Sequence, residues 1–265
     1  MMMEDLRLVC LQSPLLWEDK RGNMLMFEDL LKGVEQDFDV LLLPEVFNTG
    51  FSMRPERLAE PMDGPTVLWM QQMAVAYQCV VVGTLMIEEV GKYVNRLLWV
   101  TAEGVSGFYD KRHLFSMGRE REHFEPGAGR SVFDVKGWRV MPLICYDLRF
   151  PVWSMNTYTA GNYGYDVLVY LANWPTPRRQ HWRQLLTARA IENQAFVVGV
   201  NRTGTDGNEI AHSGHTLVLD PYGLTIADAG DEPVKVLTAT LKRDALDPYR
   251  ERFPVGEDWN LSTSI

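Results

Sequence analysis

The sequence predicts an α/β protein, and three observations carry that prediction. Short apolar runs of strand length recur along the chain, segments with apolar residues at helical spacing lie between them, and toward the C-terminus several strand-like runs follow one another directly. Alternating strands and helices imply a largely parallel sheet covered by helices, while consecutive strands imply some antiparallel pairing. The 265 residues contain no internal repeat, low-complexity tract or linker-like stretch, so the expected organisation is one domain spanning 1–265.

The elements follow in order. Leu6 to Leu11 is a short apolar strand, and after Ser13-Pro14 the residues Met24, Phe27, Leu31 and Val34 recur at helical spacing. Val40 to Leu43 is a second buried strand that stops at Pro44-Glu45. A second helix is written in Val67, Met70, Ala74 and Tyr77, then Cys79 to Met86 and Tyr93 to Thr101 read as strands, with Ala102-Glu103-Gly104 as a turn. Gly107 to Gly129 is mostly charged or loop-like and reads as a long loop, a kind of segment that more often lines a site than links domains. Trp138 to Ile144 is a strand, followed after Pro151 by a helix. Asp166 to Leu171 is another strand, Trp182, Leu185, Leu186 and Ala190 mark a helix over 179–194, and Ala195 to Val200 is again a strand. Asp220-Pro-Tyr-Gly223 has the residues of a type I turn and predicts a hairpin between Thr216–Leu219 and Leu224–Ala227. Val234 to Leu241 is a last strand, and the tail from Asp247 to Ile265 is expected to pack on a neighbouring element or subunit.

Composition narrows the function. Hydrophobic content of 46% suits a substantial core. The net charge of −9 argues against nucleic acid as the main partner. No apolar run approaches the ~18–20 residues of a membrane span, and Met1-Met-Met-Glu-Asp5 lacks the basic and apolar regions of a signal peptide. The three cysteines, Cys10, Cys79 and Cys145, cannot all pair within the chain, which suits a reducing cytoplasm. Cys10 and Cys79 lie inside strand-like runs and read as inert core residues.

Three apolar runs end on a reactive side chain: Glu45, Lys111 and Cys145. Taken singly, each has an ordinary explanation. An isolated cysteine is most often a core thiol, a glutamate after a strand is usually solvated, and a charged cluster such as Asp110-Lys-Arg-His113 is usually surface. Taken together they make chemical sense, because ligands bind where strands of an α/β sheet end. A thiol needs a base, a carboxylate in a dry pocket can serve, and an ammonium would favour the thiolate and hold an oxyanion. Asp147, Arg149 and Asn173 read as supports of the Cys145 turn. His212-Ser-Gly-His215 lacks a further ligand at suitable spacing, so no metal is expected, and no phosphate-binding glycine loop is present, so no cofactor is expected.

The three segments Leu43-Pro-Glu-Val-Phe-Asn-Thr-Gly50, Tyr109-Asp-Lys-Arg-His-Leu-Phe115 and Leu143-Ile-Cys-Tyr-Asp-Leu-Arg-Phe-Pro151 resemble, in order, the Glu, Lys and Cys blocks of the nitrilase superfamily of carbon–nitrogen hydrolases. Ala188-Arg-Ala-Ile-Glu-Asn193 also resembles a recurrent family stretch, and the similarity extends over nearly the whole chain. The resemblance implies a four-layer α-β-β-α sandwich, a catalytic Glu45–Lys111–Cys145 set, and a homodimer. Many members have a second glutamate seven residues before a glycine; Glu120 fits that spacing to Gly127, with Glu122 as its rival. Its implied role is to orient Lys111. Glu45-Val-Phe-Asn-Thr-Gly-Phe-Ser52 and Ala172-Asn-Trp-Pro175, followed by His181-Trp182, look most like the ω-amidase branch, which deamidates dicarboxylic 2-oxo acids such as 2-oxoglutaramate. The implied chemistry is thioester formation on Cys145, with the backbone N–H of Tyr146 helping to hold the oxyanion. Arg178, Arg179 and Arg202 are candidates for a substrate carboxylate, and Phe51, Phe115 and Trp174 for the pocket wall. The expected partner is thus a small-molecule amide. Another amidase or an N-carbamoyl hydrolase is the nearest alternative, and a catalytically silent interaction module the most distant.

Overall fold

The computed structural model describes residues 4–35 and 37–259. Met1 to Met3, which bear on the signal-peptide expectation, and residues 260–265, the end of the expected packing tail, lie outside the described residues.

Two six-stranded sheets form the centre. From edge to edge, the first contains Lys235–Leu241, Leu6–Gln12, Val40–Leu42, Val80–Glu89, Lys92–Thr101 and Gly104–Asp110. Leu6–Gln12, Val40–Leu42 and Val80–Glu89 run parallel, and both flanks are antiparallel. The second sheet contains Thr225–Asp228, Leu217–Leu219, Phe196–Asn201, Val167–Ala172, Trp138–Ile144 and Phe133–Val135, again with three parallel strands at its centre. Alternation along the first strand explains how the sheets stack. Leu6, Leu8 and Cys10 face a core shared with Val140, Leu143, Val169 and Val198 of the second sheet. Val9 and Leu11 face the other way, toward Phe27 and Leu31 of helix Lys20–Leu31 and Met70 and Ala74 of helix Pro65–Tyr77. Helix Arg179–Asn193 covers the second sheet through Trp182, Leu186 and Ala190. The order of layers is therefore helix, sheet, sheet, helix.

The hairpin across Asp220–Gly223 forms as its turn residues require, with the Gly223 N–H bonded to the Asp220 carbonyl at 2.9 Å. Four local features differ from the sequence reading. The segment read as a loop from Gly107 begins inside the edge strand Gly104–Asp110, whose apolar content is low because one face meets solvent. Helix Lys20–Leu31 stops before Val34. A small hairpin, Thr203–Thr205 with Ala211–Ser213, follows the strand at Asn201. The tail holds a helix, Arg243–Arg252, hidden from a periodicity reading by Pro248 and a largely charged composition. Among the described residues no helix is long and apolar enough to cross a membrane.

Candidate active site

A cavity of about 320 Å³ opens where the carboxyl ends of the central strands meet, and Glu45, Lys111 and Cys145 all line it. Phe51, Phe115 and Trp174 line it as well. Glu45 comes three residues after Val40–Leu42, Lys111 directly after Gly104–Asp110, and Cys145 directly after Trp138–Ile144. The convergence is topological. Strands Val40–Leu42 and Gly104–Asp110 run in the same direction, because two successive antiparallel steps restore the sense set by Val80–Glu89.

Cys145 opens a 3-10 turn, Cys145–Arg149, with φ at +41°. A left-handed backbone at a non-glycine residue is strained, and such strain persists where surroundings over-determine it. Val46, beside Glu45, is at φ +39°, which is more costly for a β-branched side chain. The turn holds because the buried Asp147 carboxylate accepts the Ile144 N–H at 3.0 Å. Burial pushes the Cys145 thiol well above its usual value, and the Glu45 carboxylate, to which it is hydrogen-bonded, pushes it further. Lys111 and the Asn173 backbone N–H oppose that rise. The resting sulfur is therefore a protonated thiol with a base in contact. Tyr146 is the second residue of the 3-10 turn, where a helical N–H has no intrahelical acceptor.

The Lys111 ammonium is fully buried between two carboxylates, 2.8 Å from Glu45 Oε1 and 3.0 Å from Glu120 Oε1. Burial works against its charge, but Glu120 and Glu45 outweigh that penalty and hold its pKa above the ordinary lysine value. Burial raises the Glu120 carboxyl, the Lys111 charge lowers it, and the net direction is upward. The Phe115 N–H fixes Glu120 by donating to Oε2 at 2.6 Å. Glu122 lies on the surface with Arg119, so it is Glu120 that reaches the site. Asn95 donates to Glu45 Oε1 at 2.9 Å, and the Asn173 backbone N–H donates to Glu45 Oε2 at 2.9 Å. Both Glu45 oxygens are thereby aimed. Sequence reasoning missed Asn95, although a polar residue inside the apolar strand Lys92–Thr101 was the available signal.

The arginines sort differently from expectation. Arg178 lines the cavity, its guanidinium 5.6 Å from the Phe115 ring centroid. Arg149 also lines it, 5.0 Å from the Trp174 ring. Among the described residues neither has a carboxylate partner. Arg202, expected to hold a substrate carboxylate, does not line the cavity. It is buried beneath the small hairpin and donates to the carbonyls of Thr203 at 2.9 Å and Leu15 at 3.4 Å. Burial lowers its pKa to about 10. The strand ends one residue before Arg202, and the chain there turns the side chain inward. Arg179 begins the covering helix and is exposed away from the cavity. The hairpin supplies a wall from Asp206, Asn208, Ile210 and His212, of which the sequence singles out only His212, and that as a candidate metal ligand.

Among the described residues no three His, Cys, Asp or Glu side chains stand as a metal-holding group. His212 is buried, and burial with the nearby Arg202 pushes it down to about 4. His215 instead lies against Arg183. The arrangement as a whole, a thiol touching a carboxylate beside a fixed ammonium, is suited to nucleophilic attack on a polarised carbonyl.

Residues 7–251 match the carbon-nitrogen hydrolase family. The chain is 43% identical to "Omega-amidase YafV" of Escherichia coli over 256 residues, covering 97% of each protein. It is 33% identical to a "2-oxoglutaramate amidase" of Bacillus subtilis over 253 residues, covering 94% of this chain and 95% of the relative. Among solved structures, a CN-hydrolase superfamily protein of Xanthomonas campestris, with an arsenic adduct in its active site, superposes with a TM-score of 0.93 at 39% identity over 97% of both chains.

Proposed function

The chain belongs to the carbon–nitrogen hydrolase family, and on that footing we propose that it hydrolyses the ω-amide of a small dicarboxylic 2-oxo acid, such as 2-oxoglutaramate or 2-oxosuccinamate, to the acid and ammonia. One observation carries the reading beyond the relatives' names. The cavity that holds Cys145 also holds Arg149 and Arg178, two guanidinium groups with no carboxylate partner among the described residues. Such a pocket suits a substrate with an amide at one end and a carboxylate at the other.

In this mechanism Glu45 takes the Cys145 proton as sulfur attacks the amide carbonyl. The oxyanion lies against Lys111 and the Tyr146 N–H, and Glu45 passes the proton to departing ammonia, which leaves a thioester. Glu45 then activates water, which hydrolyses the thioester to acid and free thiol. Glu120 keeps Lys111 charged and aimed. Ile191, Tyr222, Leu224 and Phe253 are exposed, and the Tyr222 ring lies tilted against that of Tyr249 with 4.0 Å between centroids, an apolar face that supports a homodimer. All three cysteines are free, which supports a cytoplasmic location.

Ammonia release from 2-oxoglutaramate, N-carbamoyl-β-alanine and butyramide tests the substrate. We expect kcat/KM to be highest for 2-oxoglutaramate, and Cys145→Ala to abolish turnover while melting at the wild-type temperature. Equal use of butyramide would refute the carboxylate end of the reading. Near-normal turnover by folded Cys145→Ala would refute the thioester.

A further inference from the structure

Asp147 is fully buried and has no direct place in the thioester chemistry, yet each of its oxygens accepts two hydrogen bonds. Oδ2 accepts from the Tyr109 hydroxyl at 2.8 Å and from the Ile144 N–H at 3.0 Å. Oδ1 accepts from the His113 backbone N–H at 3.0 Å and contacts His113 Nδ1 at 2.8 Å. Tyr109 and His113 stand two residues before and two after Lys111, while Ile144 directly precedes Cys145. One carboxylate therefore grips both sides of the lysine and the entry to the nucleophile turn.

The grip is braced from outside. The Tyr109 hydroxyl accepts from Trp153 Nε1 at 3.0 Å and from the Arg112 N–H at 3.2 Å. The His113 ring stacks on Phe150, 3.7 Å between centroids at 8°. Burial, with the Asp147 charge beside it, pushes the Tyr109 phenol far above its usual value, so it remains a donor. The two segments come from different sheets, and their relative placement sets where the ammonium stands relative to the sulfur.

We propose that Asp147 is a positioning residue that sets the Lys111 ammonium against the Cys145 sulfur by clipping the lysine segment to the nucleophile turn. This rests on the thioester reading of the site. Misplacing a reacting group by an ångström can cost about 100-fold in rate.

The test uses Asp147→Asn, Lys111→Met and the double variant, each read in two ways. For amide turnover, Asp147→Asn should lower kcat by about 10- to 100-fold with KM changed less than about threefold. For alkylation of Cys145 by iodoacetamide, which needs no knowledge of the substrate, Asp147→Asn should slow the reaction. In the Lys111→Met background it should add almost nothing, because the carboxylate acts through the lysine. Wild-type kcat in Asp147→Asn, or alkylation losses that multiply in full in the double variant, would overturn the proposal. If Asp147→Asn does not fold, Tyr109→Phe removes one donor alone; its smaller loss should likewise vanish beside Lys111→Met, and a full independent loss would overturn it. Absence of turnover with every ω-amide would sink the substrate reading while the alkylation result still decides the role of Asp147.

Discussion

At the scale of single residues, the site turns on how one ammonium is shared by two carboxylates. Glu45 and Glu120 both contact Lys111 Nζ, and the two negative charges hold a lysine protonated in a place where burial alone would discharge it. The division of labour follows from their other partners. Glu45 touches the thiol and is held by Asn95 and Asn173, whereas Glu120 is tied to the backbone of its own loop. Glu120→Gln keeps the shape and removes one of the charges that raise Lys111. The lysine should then lose its proton at lower pH, so the alkaline limb of the kcat/KM profile moves toward acid. A fall in kcat of about 100-fold is expected, by analogy with other oxyanion stabilisers. A pH–rate profile of the variant checks both.

At the scale of elements, close approach of backbones places the lysine. The Gly127 N–H donates to the Lys111 carbonyl at 2.9 Å, and a Cβ at Gly127 would stand 2.1 Å from the Asp110 carbonyl oxygen. The returning loop therefore lies directly on the end of the edge strand. Gly127→Ala forces them apart. Overpacking of this kind costs about 1–3 kcal/mol, so the melting temperature should fall by about 3–10 °C, with kcat falling as well. Gly129→Ala is the control, because nothing lies within 4 Å of its added Cβ. Edge strand Gly104–Asp110 also explains why this region read as loop. Gly107 sits under the Phe133 ring, and such a glycine contributes no apolar signal to the sequence pattern.

At the scale of the whole molecule, a buried carboxylate fastens the last helix to the second sheet. Asp166 accepts from Arg250 at 2.7 Å and from Arg139 at 2.8 Å, with Arg243 at 3.4 Å. Burial opposes its charge, but Arg139 and Arg250 prevail and hold the carboxyl below the usual carboxylate range. The unfolded chain then binds a proton that the folded chain refuses. The associated stability is complete above an unfolded value of about 4 and is lost as pH falls through the lower folded value. Thermal melts across that window should show the loss. Asp166→Asn should melt lower at neutral pH, because breaking a buried pair costs about 3–5 kcal/mol, and its acid limb should be shallower.

The chain by itself determined the alternation of strands and helices, the hairpin at Asp220–Gly223, and the ends of the apolar runs before Glu45 and Cys145, whereas the strand before Lys111 read as loop. These are local properties: apolar period, turn chemistry and the abrupt stop of an apolar run. Glu120 was suggested only through the family resemblance, with Glu122 as its rival, and the fold is what sets Glu120 against Lys111. Only the tertiary structure decided that Arg202 is buried under a hairpin while Arg149 and Arg178 face the cavity, since arginines in strand-end loops look alike until packing orients them. It likewise decided that Asn95 and Asn173 aim Glu45 and that Asp147 joins two segments. Hydrogen-bond partners 34 to 128 residues apart, such as Asp147 with His113 or Asn173 with Glu45, leave no periodic trace in a sequence. They arise only when two sheets close on each other and each buried polar group must find a partner.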